Sequence, residues 1–513
     1  MAANEVYLDC TEMTSAEEMI RKMIVDANNA FLLHGHPKDP LQMLDLEQNL
    51  SLAGTLISDL NIALAIIRAH QDKTLFWGAM VKHRKQLLKK FRVKYIKNPG
   101  KRTVVIQLPG GLTMALRTPY LRPTRKQMRG RPRGSGRRGV AGAGCYPLFE
   151  QLGIVDRVTP LTRSRISRMM VLCSSYLEAQ EQLAQEGMDL DPQTLVRIAV
   201  GTGERANKLR NDALNRAREI PPPEVSPVAG KRLRISVDGG RLRERLTQWA
   251  QKKGENGRRP FLLDWTEPRL IVIDVIDEEG KRDRSFPYIY EATIAHADDV
   301  FAMMTGMLRL IGANQAKEVL FISDGATWIW NRVEKLFKDA GLSEEQVTKI
   351  LDFYHGTEHI MKALKECKNM GPKAREALFK ELRDELLEDG GVERVLERLR
   401  GLARGRRGKK LSKEIKTLER RKSEMEYSKY RHSKLPIGSG VVESGIRRVV
   451  NQRFKSAGMC WERSHVEALL SLRCQLKAER WEQFMRAVLS GRYWLEEEVD
   501  RVQVRGSCVD LAA

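Results

Sequence analysis

Residues 235–240 have the sequence ISVDGG, in which a short apolar β pattern ends at Asp238 and two glycines follow. The same arrangement recurs at 319–325, where VLFISDG places Asp324 at the end of a second apolar run. Ligands bind at the carboxyl ends of strands in open α/β sheets, and a following glycine lets substrate approach the backbone closely. Either aspartate alone is better explained as a turn former or a helix N-cap. Two such strand ends in one sheet favour a shared site.

A third carboxylate, Glu443, follows a glycine-rich turn in the sequence GSGVVES at 438–444. If Gly440 caps the next helix, Glu443 stands at its third position, where the alternative is a structural capping carboxylate. Ser439 is one residue out of register for a capping box, which weakens that alternative. Three carboxylates brought together repel one another unless divalent cations lie among them. The pattern therefore predicts a site for two Mg²⁺ or Mn²⁺ ions, as used in phosphoryl displacement.

The segments around these carboxylates alternate between strand and helix patterns. After Gly356 a charged helical stretch runs to Arg431, and a long helix is predicted from the glycine-rich turn to Cys474. This order predicts an α/β fold with a mixed central sheet and helices on its faces. The β patterns lie at 234–237, 270–276, 284–290, 318–323 and 348–354, and the helix patterns before Gly356 at 300–310 and 327–340.

The first 225 residues are mostly helical in pattern. Amphipathic helices are predicted over 15–95, and a β-hairpin over 102–117 turns at Pro109-Gly110-Gly111. Helical patterns resume over 160–210 with a break at 187–191, where Asp191 and Pro192 are typical of a helix start. Two short helices around such a turn are the helix-turn-helix format of DNA-binding proteins, although ordinary core packing gives the same spacing. The proline run at 221–223 predicts a domain boundary.

Candidate phosphate contacts fall in three basic segments. The stretch 118–144 is rich in Arg and Gly and has no apolar face, so it is predicted to be a flexible linker, either a plain tether or a strand of cations along DNA. The helix after Asp191 and the helix after Glu443 supply the others, with solvated basic faces as the structural alternative. The candidate DNA-binding residues are Arg129, Arg131, Arg133, Arg137, Arg138, Arg197, Arg205, Lys208, Arg447, Arg448, Arg453 and Lys455.

Composition supports a polyanionic partner. The 513 residues carry 89 Lys and Arg against 66 Asp and Glu, a formal net charge of +23, with a pI of about 9.7. This surplus favours phosphates through counterion release, although a soluble basic protein or a membrane-surface binder would have a similar charge. Seven cysteines without a CxxC pair argue against a disulfide framework or structural zinc. No signal peptide is apparent, and Asp59 and Asn61 break the apolar stretch 56–67, so a cytoplasmic protein without a membrane span is expected.

The order of these motifs resembles the DDE transposases of bacterial insertion sequences, and is closest to the ISKra-type group. The resemblance covers approximately residues 140–480, and its most specific part is the GSGxxES…GM-W block within PIGSGVVESGIRRVVNQRFKSAGMCW at 436–461. It implies that Asp238, Asp324 and Glu443 are the metal-binding catalytic triad of an RNase H-like core. Asp352 and His355, in DFYH, resemble an Asp-x-x-His element, which implies a catalytic role for His355 near the scissile phosphate. The cysteine-rich zinc element that many relatives carry upstream of the core is absent.

The resemblance implies an RNase H-like mixed-sheet catalytic core with a helical insertion, preceded by mostly helical DNA-binding regions. The expected regions are an N-terminal helical region 1–100, a hairpin and basic linker 101–145, a helix-turn-helix-like region 146–225, the first part of the core 226–356, the insertion 357–433, the final core helix 434–490 and a tail 491–513.

The implied activity is metal-dependent cleavage at the ends of an insertion sequence. A metal-activated water frees a 3′ hydroxyl, which then attacks target DNA in the same site. Because two ends are cut in concert, a homodimer or higher oligomer on DNA is expected, associated with the bacterial nucleoid. A decayed or domesticated copy that binds DNA without cutting it would carry the same motifs.

Other patterns suggest competing functions. HGTEH at 355–359 matches HxxEH of a zinc peptidase group, but it begins directly after a strand pattern and has glycine at its second position. A phosphate-loop ATPase is disfavoured because no GxxxxGK[ST] occurs. Trp328, Trp330 and Trp461 are candidates for stacking on extruded bases, with core packing as the alternative, especially for Trp330.

Overall fold

The computed structural model describes residues 7–32, 37–92, 95–97, 100–124, 144–248, 251–252, 254, 259–367, 370–403 and 409–510. The chain divides into two compact units, Met1–Ala199 and Val200–Ala513. Both units combine helices with strands, so the predicted mixed α/β class is confirmed. The division falls inside a helix rather than at the proline run 221–223.

The first unit packs long helices on a small sheet. β3 and β4 form the predicted antiparallel hairpin, with Val105 opposite Ala115, and β1 adds to β4 in parallel. The predicted helices over 15–95 are confirmed, whereas β1 and the antiparallel β2–β5 pair were not predicted. The basic segment with Arg129, Arg131, Arg133, Arg137 and Arg138 lies outside the described residues. The elements are β1 (Tyr7–Cys10), α1 (Met13–Leu32), α2 (Pro40–Gln71), α3 (Lys73–Phe91), β2 (Tyr95–Lys97), β3 (Lys101–Gln107), β4 (Thr113–Pro119), β5 (Arg122–Thr124), α4 (Pro147–Gln151), α5 (Pro160–Leu172), α6 (Tyr176–Gln185) and the start of α7 (Pro192–Glu219).

Helix α2 corrects the expectation that no segment is suited to span a membrane. Among the described residues, α2 is long and apolar enough to do so by length and composition alone. Asn61 does not interrupt the helix, because its side chain donates to the Ile57 carbonyl at 2.8 Å. Asp59 is buried, and its carboxylate accepts the N–H groups of Gly110 and Leu112 at 2.9 and 3.1 Å. These bonds connect α2 to the β3–β4 turn, as expected of a core helix. Core helices can be as long and apolar as membrane-spanning ones.

The stretch 160–219 contains three helices, α5, α6 and α7, and α7 crosses from the first unit into the second. The predicted break at 187–191 is confirmed, and Asp191 caps α7 by accepting the Thr194 N–H at 2.9 Å. α7 then continues for 28 residues, because its buried alanines, among them Ala206 and Ala213, carry one apolar face well past Val200. The helix after the turn is therefore much longer than the short one that the helix-turn-helix prediction assumed.

The second unit is built on a five-stranded sheet with the order β10-β9-β6-β11-β12. β6, β11 and β12 are parallel, and β9 runs antiparallel to its neighbours β6 and β10. The central strands are apolar and almost fully buried, as expected of a sheet covered on both faces. The strands are β6 (Arg232–Gly239), β7 (Leu242–Thr247), β8 (Phe261–Thr266), β9 (Arg269–Ile276), β10 (Ile289–Thr293), β11 (Glu318–Ser323) and β12 (Val347–Leu351).

Helices surround this sheet. α8 and α9 connect β10, β11 and β12, α15 packs on β6 and β9, and α17 packs on β10. The stretch after β12 is helical, as predicted. The helices are α8 (Ala297–Leu310), α9 (Thr327–Ala340), α10 (Phe353–Lys365), α11 (Pro372–Glu385), α12 (Gly391–Leu402), α13 (Lys409–Glu419), α14 (Tyr427–His432), α15 (Gly440–Ile446), α16 (Gln452–Phe454), α17 (Arg463–Lys477), α18 (Trp481–Ser490) and α19 (Trp494–Asp510).

Three sequence predictions in this unit need correction. The strand placed at 284–290 lies at 289–293, because Pro287 has no N–H to give a ladder. Tyr354 belongs to α10 rather than to the preceding strand, because Asp352 caps that helix. The long helix expected to reach Cys474 is interrupted between α16 and α17, where Trp461 lies in extended backbone paired with β7. The β7–β8 hairpin was not predicted at all.

Candidate active site at the ends of β6 and β11

The two predicted aspartates lie at the ends of neighbouring parallel strands. Ile235 of β6 pairs with Phe321 of β11, and Asp238 and Asp324 each follow three residues later. Neighbouring strands in a sheet are about 4.8 Å apart. The sheet therefore brings both carboxylates to one edge.

Asp238 shows that further carboxylates share this region. The residue is partly buried, and its Oδ1 accepts the Gly239 N–H at 2.6 Å. Burial, and then the charge of Asp324, raise the pKa of Asp238 from 3.8 to about 6, with Glu443 and Glu267 acting in the same direction. The Gly239 N–H acts in the opposite direction. Asp324 lies at the end of the neighbouring strand and the Glu267 carboxylate lies against Gly239, so both are close to Asp238.

Asp324 makes its own local hydrogen bonds in the turn after β11. Its Oδ1 accepts the Ala326 N–H at 3.1 Å, and its backbone carbonyl accepts the Trp330 indole N–H at 2.5 Å. Burial raises the pKa of Asp324, while the Ala326 N–H and the nearby His355 ring lower it and Asp352 raises it. The pKa of Asp324 is raised overall, so the ionised form of this carboxylate is also destabilised in the folded protein.

Glu443 lies on the first turn of α15 and is exposed. Ser439, rather than Gly440, is the N-cap, and its Oγ donates to Glu443 Oε1 at 3.2 Å. α15 packs closely on the sheet because Gly445 has no side chain; a Cβ there would lie 2.6 Å from Leu270 Cδ2. Glu443 precedes this contact by two residues on the same helix.

Asp352, directly after β12, joins the starts of two helices. Its carboxylate is 1% exposed, with Oδ1 accepting the His355 N–H at 2.7 Å and Oδ2 accepting the Ser439 N–H at 2.5 Å. Beside it, the Phe353 N–H donates to the Ile437 carbonyl at 2.9 Å. One buried carboxylate therefore fixes where α10 and α15 begin.

His355 packs over the turn that carries Asp324. A Cβ on Gly325 would lie 3.0 Å from the His355 ring, and the His355 and His359 rings are 5.0 Å apart. Burial lowers the pKa of His355, the Asp324 carboxylate raises it, and His359 lowers it, with a net downward shift. His355 therefore gives up its proton more readily than a free imidazole, and its ring is suited to donate or accept a hydrogen bond at the site.

The HxxEH segment does not bring its glutamate to its histidines. His355 and His359 share a face of α10, but Glu358 is 63% exposed and lies 3.4 Å from Lys362 Nζ. His359 Nδ1 is instead 2.7 Å from Glu414 Oε2 on α13. Glu358 is therefore badly placed for the general base that a zinc peptidase requires.

Within the described part of the chain, no three His, Cys, Asp or Glu side chains lie close enough together to hold a metal ion. Asp238 and Asp324 end neighbouring strands and Glu443 lies on the helix that packs on β6, and each carboxylate accepts a local hydrogen bond. Carboxylate oxygens are the ligands that Mg²⁺ and Mn²⁺ prefer, and a cation would relieve the repulsion that raises the Asp238 pKa. The three carboxylates are therefore of the right chemical type for such ions, and their side chains would have to move closer together to bind them.

The three predicted DNA contacts on α7 differ in their exposure to solvent. Arg205 and Lys208 are exposed. Arg197 is 54% exposed, but its guanidinium donates to Asp156 Oδ1 at 2.8 Å. Of the three predicted contacts on α7, Arg205 and Lys208 are therefore the more accessible.

The basic residues after Glu443 also divide. Arg447 and Lys455 are exposed, while Arg448 is half-buried and donates to the Tyr290 hydroxyl at 2.6 Å. Arg453 is 1% exposed and lies over the Trp461 ring at 4.8 Å. Arg453 is thus a packing residue in this structure rather than an accessible phosphate contact.

The tryptophans proposed for base stacking are mostly buried. Trp330 and Trp461 are 5% and 6% exposed, and Trp328 is half-buried beneath the Arg269 guanidinium. Trp265 of β8, which the sequence analysis passed over, is 49% exposed. Core packing is therefore the better explanation for Trp330 and Trp461.

Glu267 is a site residue that the sequence analysis missed. Its carboxylate lies against Gly239, contributes to the raised pKa of Asp238 and accepts from Arg269 at 2.6 Å. No motif marks it, because it becomes a neighbour of Asp238 only through the β6–β9 pairing. A glutamate just before a strand is otherwise unremarkable in a sequence.

Comparisons with known proteins give one distant structural likeness. No family model matches the chain, and no curated protein matches it. Among solved structures, the chain is similar to the Drosophila P element transposase strand transfer complex, with 10% sequence identity and a TM-score of 0.23. The similarity covers 68% of this chain and 86% of that one.

Proposed function

We propose that the chain is a DDE transposase that binds insertion-sequence ends and catalyses metal-dependent DNA cleavage and strand transfer. The arrangement that carries this proposal is Asp238 and Asp324 at the ends of paired strands, with Glu443 on the helix that packs on β6. A cluster of carboxylates around a partly buried aspartate is unfavourable without a cation, so its presence supports metal chemistry. The surplus of basic residues supports DNA as the substrate.

The metal site we propose takes two Mg²⁺ or Mn²⁺ ions, which would stabilise charge on the attacking and leaving oxygens. Asp238, Asp324 and Glu443 would hold them, and Asp352 would keep Glu443 in place through the Ser439 N–H. The His355 ring, packed over the Asp324 turn, would contact the phosphate as a hydrogen-bond partner.

We further propose that the sheet of the second unit is an RNase H-like core with a helical insertion at 357–433. Support comes from the mixed five-stranded sheet and from the two hydrogen bonds around Asp352. The Phe353 N–H meets the Ile437 carbonyl, so the helices between them form an excursion whose ends return to one place. Assignment to the ISKra-type group rests on the GSGxxES…GM-W block, and cleavage of paired ends implies an oligomer on DNA in the cytoplasm.

The test is cleavage of DNA fragments taken from either side of the chain's own gene, with Mg²⁺ or Mn²⁺ and with chelator. Asp238→Ala, Asp324→Ala and Glu443→Gln should each abolish metal-dependent nicks at the element boundary while leaving DNA binding in a mobility-shift assay intact. Glu462→Gln is the matched control, because this glutamate is 56% exposed and should be dispensable.

Two outcomes would overturn the proposal. A triad variant that cuts at the wild-type rate would remove that residue from the ligand set. Wild-type protein that binds the fragments but never nicks them with either metal would instead favour a non-catalytic DNA-binding protein.

A further inference from the structure

The β7–β8 hairpin leaves the sheet just after Asp238 and exposes large apolar side chains. β7 begins at Leu242, four residues beyond Asp238, and every residue of β8 from Phe261 to Trp265 is exposed. Contiguous exposed apolar surface of this kind usually marks a binding surface. The exposed fractions are 42% for Phe261, 58% for Leu262, 54% for Leu263 and 49% for Trp265.

One face of the hairpin combines aromatic rings with arginines. Arg243 lies opposite Trp265 and Arg245 lies opposite Leu263, and Phe261 follows on the same face at two-residue spacing. The Arg243 guanidinium lies 5.3 Å from the centre of the Trp265 ring, and that of Arg245 lies 4.3 Å from the Phe261 ring. A further cation, Arg241, also lies 5.3 Å from the Trp265 ring. We call this surface, made of Arg241, Arg243, Arg245, Phe261, Leu263 and Trp265, the Arg–aromatic face.

The base of the hairpin is held firmly. The Arg245 N–H donates to the Trp461 carbonyl at 2.7 Å, and the Trp461 N–H donates to the Arg243 carbonyl at 3.0 Å. On the opposite face, the half-exposed Arg463 donates to the buried Glu244 at 3.1 Å. Backbone pairing on both edges of β7 therefore fixes the Arg–aromatic face relative to the sheet.

The hairpin is also positioned against the helical segment that continues from Glu443. A Cβ on Gly240 would lie 3.2 Å from Val450 Cγ1 and 3.5 Å from Ile446 Cγ2, so the backbone at Gly240 packs closely against this segment. Arg243 is the fifth residue after Asp238, and a fully extended chain of that length limits the distance between their Cα atoms to about 17 Å. The Arg–aromatic face thus begins within a short reach of the candidate active site.

We propose that the Arg–aromatic face binds unpaired nucleotides of a DNA strand whose phosphodiester lies at Asp238. Aromatic rings stack on bases of any sequence, and arginines add stacking and phosphate contacts. The rings reach bases only where those are unstacked, so the surface suits frayed or single-stranded DNA rather than intact duplex. This inference rests on the proposed function, since it names the state of the DNA at the same site.

Binding is measured with metal chelated, so that no cleavage intervenes. The probes are a mixed-sequence single-stranded oligonucleotide, its full duplex and the same duplex with an unpaired end. Trp265→Ala should weaken binding to the single strand and to the unpaired end about tenfold, the affinity equivalent of about 1.4 kcal/mol, and should leave duplex binding unchanged. Phe261→Ala should weaken the same two complexes.

Leu262→Ala is the matched control, because Leu262 is the most exposed of these side chains and belongs to the opposite face of the hairpin. It should leave all three affinities unchanged. Unfolding temperatures of the variants should equal that of the wild type, since all three positions are exposed.

The outcomes separate this inference from the proposed function. Trp265-dependent binding of single strands by a protein that never cuts DNA would sink the transposase proposal and leave this one standing. Cleavage with normal metal dependence, together with single-strand binding that Trp265→Ala does not alter, would support the transposase proposal and overturn this inference. Loss of binding to anionic lipid vesicles in Trp265→Ala, without any change on DNA, would show that the surface binds membranes and would overturn the inference.

Discussion

Asp352 accepts the backbone N–H of Ser439 at 2.5 Å, across 87 residues of sequence, while its other oxygen accepts the His355 N–H at 2.7 Å. The carboxylate is buried, so neither N–H has water as a ready substitute partner. This one side chain thus connects the start of the helix bearing His355 with the start of the helix bearing Glu443. Both bonds are to backbone N–H groups, and we regard Asp352 as a positioning residue.

The first prediction concerns that connection. Asp352→Ala should lower the free energy of unfolding by about 2–4 kcal/mol, because it removes a helix cap and leaves the Ser439 N–H buried without its acceptor. Urea unfolding measures the effect. Asp191→Ala is the control, since Asp191 is exposed and caps only α7, and it should lose about 1 kcal/mol. Equal losses in the two variants would contradict the bridging role.

The second prediction follows from the raised pKa of Asp238. The folded state holds the Asp238 proton more tightly than the unfolded chain, so the stability of the metal-free protein falls as the pH rises from 3.8 to about 6. Above that range the full loss persists. Asp238→Asn keeps an acceptor for the Gly239 N–H and removes the charge. The variant should therefore melt at a higher temperature than the wild type at pH 7.5, and the difference should vanish below pH 3.8.

The measurement is thermal unfolding across this pH range, in chelator and in Mg²⁺. Asp212→Asn is the control, because Asp212 is exposed on α7 and should change neither the temperature nor its pH dependence. Mg²⁺ should raise the unfolding temperature of the wild type and not of Asp238→Asn, since a ligand stabilises only the state that binds it. A wild type and Asp238→Asn with the same melting temperature at every pH would show that Asp238 carries no such strain.

The third prediction separates transposase from peptidase at α10. Glu358→Gln should retain most DNA cleavage, because Glu358 is 63% exposed and paired only with Lys362. His355→Ala should lose much of it, because the His355 ring packs over the Asp324 turn. Purified protein should contain no stoichiometric zinc. Bound zinc by elemental analysis, together with proteolysis that Glu358→Gln abolishes, would favour the peptidase.

Local sequence was sufficient to predict the strand ends at the candidate site. Asp238 and Asp324 each end an apolar run and precede glycine, and their register follows from two strands of similar length that pair in parallel. The sequence correctly predicted that Ser439 and Glu443 are not spaced for a capping box, which joins residues three apart. In the structure the Ser439 Oγ donates to Glu443, four residues on.

What failed from sequence depends on distant pairing. Arg453 has the same local signature as the exposed Arg447, but Trp461 covers it, and no periodicity in the sequence reports that contact. The β8 strand carries apolar residues on both faces, Leu262 and Leu263 among them, so it lacks the alternation that marks a half-buried strand.

The last prediction concerns DNA binding by α7. Arg205 and Lys208 are exposed, whereas Arg210, only two residues on, is 2% exposed and donates to the buried Glu291 at 3.0 Å. Arg205→Ala and Lys208→Ala should each weaken duplex DNA binding and reduce the slope of log affinity against log salt by about 0.9, the value for one lost phosphate contact. Arg216→Ala is the control, because Arg216 is 58% exposed on the same helix but already bonds Glu496 at 2.7 Å.

Arg210→Ala should act on stability instead of on DNA. Removing Arg210 takes away the guanidinium bonded to the buried Glu291 carboxylate and leaves it only the Gln475 and Tyr493 donors, at a cost of about 3 kcal/mol. Urea unfolding should show this loss for Arg210→Ala and for neither exposed variant, while a salt titration should show an unchanged slope for whatever folded Arg210→Ala protein remains. If Arg205→Ala and Lys208→Ala leave the slope unchanged, α7 is not the phosphate-binding helix.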